Sequence, residues 1–127
     1  TSVGGRVSDP WKIIETTEYK EWFTGLSREQ RQAIRRSTKS LREKGPLLGR
    51  PIVDTIKGSE LKNLKEMRVS SKGKLRVLFI FDYRRQAILL CGGDKAKNSE
   101  WNRWYQTAIP KAEQIYKRYL DGHGRDQ

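Results

Sequence analysis

Residues Leu75 to Phe81 (Leu-Arg-Val-Leu-Phe-Ile-Phe) constrain the fold more than any other stretch. Their length suits a strand, and strand geometry puts Leu75, Val77, Phe79 and Phe81 on one face and Arg76, Leu78, Ile80 and Asp82 on the other. Both faces are apolar along the middle. Such a strand belongs inside a sheet that is covered on both sides. The rest of the chain must supply those covers from a small apolar stock, since hydrophobic residues make up 35% and charged residues 33% of the 127 residues.

Period-two patterning also marks Val53 to Lys57, Asn63 to Val69 and Gln86 to Cys91 as strands. Ser71-Lys72-Gly73-Lys74 and Tyr83-Arg84-Arg85 are turn signals, so the last three strands form an antiparallel meander. Gly92-Gly93-Asp94-Lys95 is expected to end the sheet. Upstream, Trp11 to Thr16 reads as a first strand, and Thr17 as the cap of a short helix bearing Tyr19, Trp22, Phe23 and Leu26. Ser27-Arg28-Glu29-Gln30 is a capping box that opens a helix running to about Lys44, where Gly45-Pro46 stops it. Ala33, Ile34, Ser37, Thr38 and Leu41 form its inner face, and Arg28, Arg31, Arg35, Lys39 and Arg42 a basic ridge opposite. After the meander, Ser99 caps a helix with Trp101, Trp104, Tyr105 and Ala108. Pro110 is expected to kink or divide it before Ala112, Ile115, Tyr116, Tyr119 and Leu120. The order defines an α+β fold: an N-terminal strand and helical hairpin packed on an antiparallel β-meander, then a kinked C-terminal helix. One domain is expected over residues 9–120, with a flexible arm at 1–8 and a flexible tail at 121–127.

Charge narrows the function. With 27 Lys and Arg against 15 Asp and Glu the chain carries a formal +12, which attracts phosphate polymers, anionic membrane or acidic proteins. Two segments concentrate it, Arg28–Lys44 and Lys57–Arg76, each with seven basic and two acidic residues. No stretch approaches the roughly 20 apolar residues of a membrane span, and residues 1–8 show no apolar core of a signal peptide. The single cysteine, Cys91, excludes an intrachain disulfide and suits a reducing cytoplasm. With His123 as the only histidine, a zinc site or a two-histidine nuclease has nothing to be built from. Neither a metal nor another cofactor is expected.

The remaining chemistry is positive charge delivered from strands. Lys57, Lys65, Arg68, Arg76 and Lys95 all lie on or beside strands, and Arg68 and Arg76 flank one turn, so pairing brings them close. Cations converging on one sheet face can grip a phosphodiester and stabilise the added charge of its five-coordinate transition state. The plainer alternative is that Lys57 and Lys65 guard a sheet edge, while Glu66 and Asp94 partner Arg76 in a structural ion-pair network. Helical spacing makes Trp101, Trp104 and Tyr105 core residues before they are base-stacking platforms.

Four blocks, in order, carry a resemblance. They are Gly45-Pro46-Leu47-Leu48-Gly49-Arg50-Pro51-Ile52-Val53-Asp54-Thr55-Ile56-Lys57-Gly58-Ser59, Asn63-Leu64-Lys65-Glu66-Met67-Arg68, Leu75-Arg76-Val77-Leu78-Phe79 and Gly92-Gly93-Asp94-Lys95. From about Trp11 to Leu120 the chain resembles the HigB branch of the RelE/ParE toxin superfamily, the phage-derived type II toxins. The resemblance implies the RelE-like topology read above. It also implies a ribosome-dependent endoribonuclease that cuts mRNA in the A site, silenced by a helix-turn-helix antitoxin of HigA type. In the RelE-like mechanism the ribose 2′-OH attacks the adjacent phosphate without a metal. Arg76, Arg68, Lys95 and Lys57 match basic positions of that site, and Tyr105 (with Trp104) lies nearest to its C-terminal Tyr or His. The chain departs from the pattern at Glu66, where RelE-like enzymes carry a lysine, and Lys65 points to the other strand face unless a bulge intervenes. The ridge Arg31, Arg35, Lys39 and Arg42 is expected to meet ribosomal RNA or an acidic antitoxin helix. Two other functions compete: a ParE-like poison of DNA gyrase, against which the basic row Lys57, Arg68, Arg76 and Lys95 argues, and a basic RNA- or ribosome-binding protein without chemistry, which shares the charge.

Overall fold

The computed structural model describes residues 10–94 and 101–123. Five strands form one sheet in the order β1-β5-β4-β3-β2, with β1 Lys12–Glu15, β2 Val53–Thr55, β3 Leu64–Ser70, β4 Lys74–Phe81 and β5 Gln86–Asp94. The last three strands form the expected antiparallel meander, β2 extends it antiparallel to β3, and β1 closes the far side parallel to β5. β4 sits in the middle, buried from Val77 to Ile80, as its two apolar faces require.

The helices α1 (Thr17–Thr24) and α2 (Arg28–Lys44) cover one face, and α3 (Trp101–His123) covers the other. Against α1 and α2 the sheet turns Met67, Val69, Leu75, Val77, Phe79 and Leu89, packed with Tyr19, Ile34 and Leu41. Against α3 it turns Leu64, Leu78, Ile80, Ile88 and Leu90, packed with Ala108, Ala112 and Ile115. The capping box forms as read: Ser27 Oγ accepts from the Gln30 N–H, and Gln30 Oε1 accepts from the Ser27 N–H. Gln30, buried, also donates to the carbonyls of Ser71 and Lys72, which ties the start of α2 to the β3–β4 turn.

Several details differ from the sequence reading. Thr16, one residue earlier than Thr17, caps α1: its hydroxyl accepts from the Tyr19 N–H and donates to the carbonyl of Leu89. β2 stops at Thr55, although the Ile56 N–H still bonds to the carbonyl of Leu64. α3 is not divided at Pro110, which sits on the exposed side of one continuous helix, and the helix runs on through Asp121 and Gly122 to His123. The arm at 1–8 and the Ser99 cap lie outside the described residues.

The largest difference is at Gly92-Gly93-Asp94, which belongs to β5 and pairs with Val77, Arg76 and Leu75. Glycine and aspartate disfavour strands, but here two tryptophans press on the backbone from opposite faces. A Cβ on Gly92 would lie 2.5 Å from the Trp22 ring, and one on Gly93 would lie 2.5 Å from Trp104 Nε1. Only hydrogen fits at either position. A register shift beside Leu78 inserts Leu90 into β5, so that Leu90 and Cys91 both face α3.

Candidate functional site

Alternation along the strands decides which polar side chains meet on the α3 face. Asp54 on β2 is the cross-strand partner of Glu66 on β3, and Arg68 on β3 is the partner of Arg76 on β4. Arg76 is in turn paired with Gly93 on β5. All of these positions share the face that carries Leu64, Leu78 and Ile80, and α3 lays Tyr105 over them.

Glu66 is the centre of the cluster. It is 4% exposed, and a buried carboxylate needs compensating donors. Arg68 supplies two of them, Nε at 3.1 Å and Nη2 at 3.0 Å from Oε2. Tyr105 supplies the third, its hydroxyl donating to Oε1 at 2.5 Å. Arg68 Nη2 also reaches Asp54 Oδ2 at 3.1 Å, so one guanidinium bridges two carboxylates. Asp54 further accepts from Arg50 Nε at 3.1 Å and from the Thr55 N–H at 2.9 Å. The Arg50 bond, with the Thr55 amide and the charge of Arg68, holds the Asp54 carboxyl below the usual carboxylate range. Like charges facing each other across a ladder are unfavourable, and the two carboxylates around Arg68 offset its confrontation with Arg76. Arg76 is half-buried, and its Nη1 donates to the carbonyl of Leu75 at 2.9 Å.

The structure therefore brings together Arg68, Arg76 and Tyr105. It does not bring Lys65 to them: that side chain lies on the opposite face, where Nζ donates to Thr55 Oγ1 at 2.9 Å. The one register shift between these strands falls in β5, so nothing turns Lys65 round. Lys57 is exposed in the loop after β2, and Lys95 lies outside the described residues. On the ridge, Arg35, Lys39 and Arg42 are exposed, with the Arg35 guanidinium 5.1 Å from the centre of the Phe23 ring. Arg31 turns back and donates to the carbonyl of Leu26 at 2.5 Å. Asp54 and the role of Glu66 as the carboxylate under Arg68 and Tyr105 were not drawn from the sequence. The i, i+2 spacing of Glu66 and Arg68 was a usable signal, but Asp54 required the β2–β3 register.

Among the described residues no group of three or more His, Cys, Asp or Glu side chains is arranged to hold a metal ion, and no helix is long and apolar enough to cross a membrane.

Solved structures share this architecture. Escherichia coli RelE, as an arginine-to-alanine double mutant in the free state, superposes with a TM-score of 0.58 at 10% identity, covering 86% of this chain and 97% of RelE. The Mycobacterium tuberculosis RelBE2 toxin–antitoxin complex gives 0.54 at 18% identity, covering 69% of this chain and 94% of that one. The RelE–RelB complex of Pyrococcus horikoshii gives 0.53 at 13% identity, covering 70% and 99%. The fold is RelE-like.

The sequence goes further than the fold. Residues 21–117 match the model of the phage-derived Gp49-like proteins (DUF891). Two Mycobacterium tuberculosis proteins proposed by name as toxins are similar over most of the chain. HigB3 is 42% identical over 108 residues, 85% of this chain and 92% of HigB3. HigB2 is 43% identical over 101 residues, 78% of this chain but 49% of HigB2, so the chain spans about half the length of that relative. The chain belongs to the Gp49-like, HigB-type toxin family.

Proposed function

We propose that this protein is the toxin of a type II toxin–antitoxin system and acts as a ribosome-dependent, metal-independent mRNA endoribonuclease in the cytoplasm. Its partners on this reading are a HigA-like helix-turn-helix antitoxin, mRNA in the ribosomal A site and ribosomal RNA. The observation that carries the reading is the cross-strand pair Arg68–Arg76 on the face where Tyr105 meets Glu66. Arg76 is the phosphate ligand, and Arg68 holds Glu66 and adds its charge to the same site. The ribose 2′-oxygen attacks phosphorus, the bond to the 5′-oxygen breaks, and a 2′,3′-cyclic phosphate and a 5′-hydroxyl result. Tyr105, its hydroxyl oriented by Glu66, gives a proton to the leaving 5′-oxygen, and water takes the proton of the 2′-OH and restores that of Tyr105. Lys57 belongs to this reading as an outer phosphate contact and Lys65 as a more distant one, and Lys95 belongs to it by the resemblance of its motif.

Inducible expression with mapping of transcript ends, with and without a translation blocker, tests the reading. New ends that vanish under the blocker support it, and intact transcripts overturn it. One observation favours a second reading: Arg68 is already bridged by two carboxylates, which suits a basic ribosome-binding protein that performs no chemistry. That protein would arrest translation and leave mRNA whole.

A further inference from the structure

The loop between β2 and β3 is held to α3 by one carboxylate. Glu113, half-buried on α3, accepts with Oε2 from the Ser59 hydroxyl at 2.7 Å and from the Glu60 N–H at 2.8 Å. Ser59 Oγ in turn accepts from the Leu61 N–H at 3.0 Å. The ends of the loop are joined by the Ile56 N–H, which donates to the Leu64 carbonyl at 2.9 Å. Ile56 is buried in the core under α3, and Leu61 packs on the same cluster. Gly58, at φ +85°, turns the chain between these anchors. Lys57 belongs to the loop so fixed; it is exposed and has no ion-pair partner among the described residues.

Lys65 and Arg68, by contrast, give donors to Thr55, Asp54 and Glu66. Beside an RNA-binding face the charge of Glu113 repels phosphate, so what it contributes there is an acceptor for two loop donors. We propose that Glu113 is a positioning residue for RNA. Through Ser59 and Glu60 it fixes the loop that presents Lys57 to a phosphate of the bound mRNA, outside the bond that is cut. Fixing the loop beforehand removes its ordering cost from binding. α3 thereby sets two parts of the site at once, because Glu113 lies roughly two turns, about 12 Å, beyond Tyr105. The inference rests on the nuclease reading for the identity of the RNA, but the latch is separate from the reacting groups. The two loop bonds of Glu113 involve none of Glu66, Arg68, Arg76 and Tyr105.

The test measures translation-coupled cleavage on programmed ribosomes, with affinity for the same ribosomes measured across salt concentrations. Glu113→Ala removes the acceptor and Glu113→Gln keeps one, while both remove the charge. Glu113→Ala is expected to raise KM at least about fivefold with kcat unchanged, the pattern of lost binding shared by ground and transition states. Glu113→Gln should recover most of that loss. Ser59→Ala breaks the latch from the loop side and should act like Glu113→Ala, with circular dichroism unchanged. Lys57→Ala should raise KM at least as far and lower the salt slope by about 0.7, the value of one phosphate on a single strand. Adding Glu113→Ala to Lys57→Ala should then cost nothing further. Unchanged KM in Glu113→Ala beside an active wild type would overturn the latch and leave the nuclease standing. Tighter binding by Glu113→Ala, as loss of charge alone predicts, or additive losses in the double variant would also overturn it. A wild type that leaves mRNA whole would overturn the nuclease, and the order of the ribosome affinities would still decide the latch.

Discussion

Arg68 faces Arg76 directly across the β3–β4 ladder, and its guanidinium is held by Glu66 and Asp54. The two arginines are therefore not equivalent. Arg68 is built into a carboxylate frame with Glu66 and Asp54, whereas Arg76, near the start of β4, has among its contacts a bond to the carbonyl of Leu75. Arg76→Ala is expected to lower translation-coupled cleavage by at least about 100-fold, the scale of losing a preorganised charge at a transition state. Arg76→Lys should recover part of that loss. Cleavage by Arg76→Ala at the wild-type rate, measured by primer extension on programmed ribosomes, would remove Arg76 from the site.

Glu66 differs from an exposed carboxylate because three donors converge on it in a buried position. Glu66→Ala leaves Arg68 and Tyr105 without their shared acceptor and is expected to destabilise the fold by about 3 kcal/mol. Urea unfolding with an unchanged m-value is the measurement. A loss under about 1 kcal/mol would mean that water replaces the carboxylate at little cost.

Stability should fall at both pH extremes for separate reasons. Asp54 has a depressed pKa in the folded state, so its contribution is complete above the unfolded carboxyl pKa of about 4. It is lost as pH falls through the folded value. Asp54→Asn should flatten the acid limb below about pH 4. At the other extreme, burial pushes the Cys91 thiol up to about 11. Its contribution is complete below the unfolded thiol pKa of about 8.5 and is lost as pH rises towards 11. Burial raises the Tyr19 hydroxyl in the same direction. Cys91→Ala should therefore reduce the alkaline slope without removing it, as thermal melts between pH 8 and 11 would show.

Gly93→Ala places a methyl group against Trp104, and Gly92→Ala places one against Trp22. Each is expected to cost about 1–3 kcal/mol, the range for overfilling a packed site. Beyond that shared cost their effects should diverge. Gly93→Ala moves the turn of α3 that carries Tyr105 and should lower cleavage further than its stability loss explains. Gly92→Ala disturbs α1 and should affect stability alone. Equal activity per folded molecule in the two variants would show that the seat of Trp104 does not set the position of Tyr105.

Much of the architecture was legible because it follows from local rules. The two apolar faces of Leu75 to Phe81 require a covered central strand, and Ser27 with Gln30 announces the start of α2. Gly92 and Gly93 were misread because glycine usually punctuates a chain, and only the tertiary approach of Trp22 and Trp104 makes it necessary inside a strand. The pairing of Arg68 with Arg76 follows from one short turn. The bridge to Asp54 spans 14 residues and a second register, beyond what spacing conveys. The catalytic roles themselves rest on chemistry that neither periodicity nor packing specifies.

At Gly92 and Gly93 the backbone of β5 lies directly between two indoles, Trp22 of α1 and Trp104 of α3. The helical hairpin and the C-terminal helix, which cover opposite faces of the sheet, there lean on two adjacent residues of one strand. This narrow waist admits an added carbon at either position only if an indole gives way.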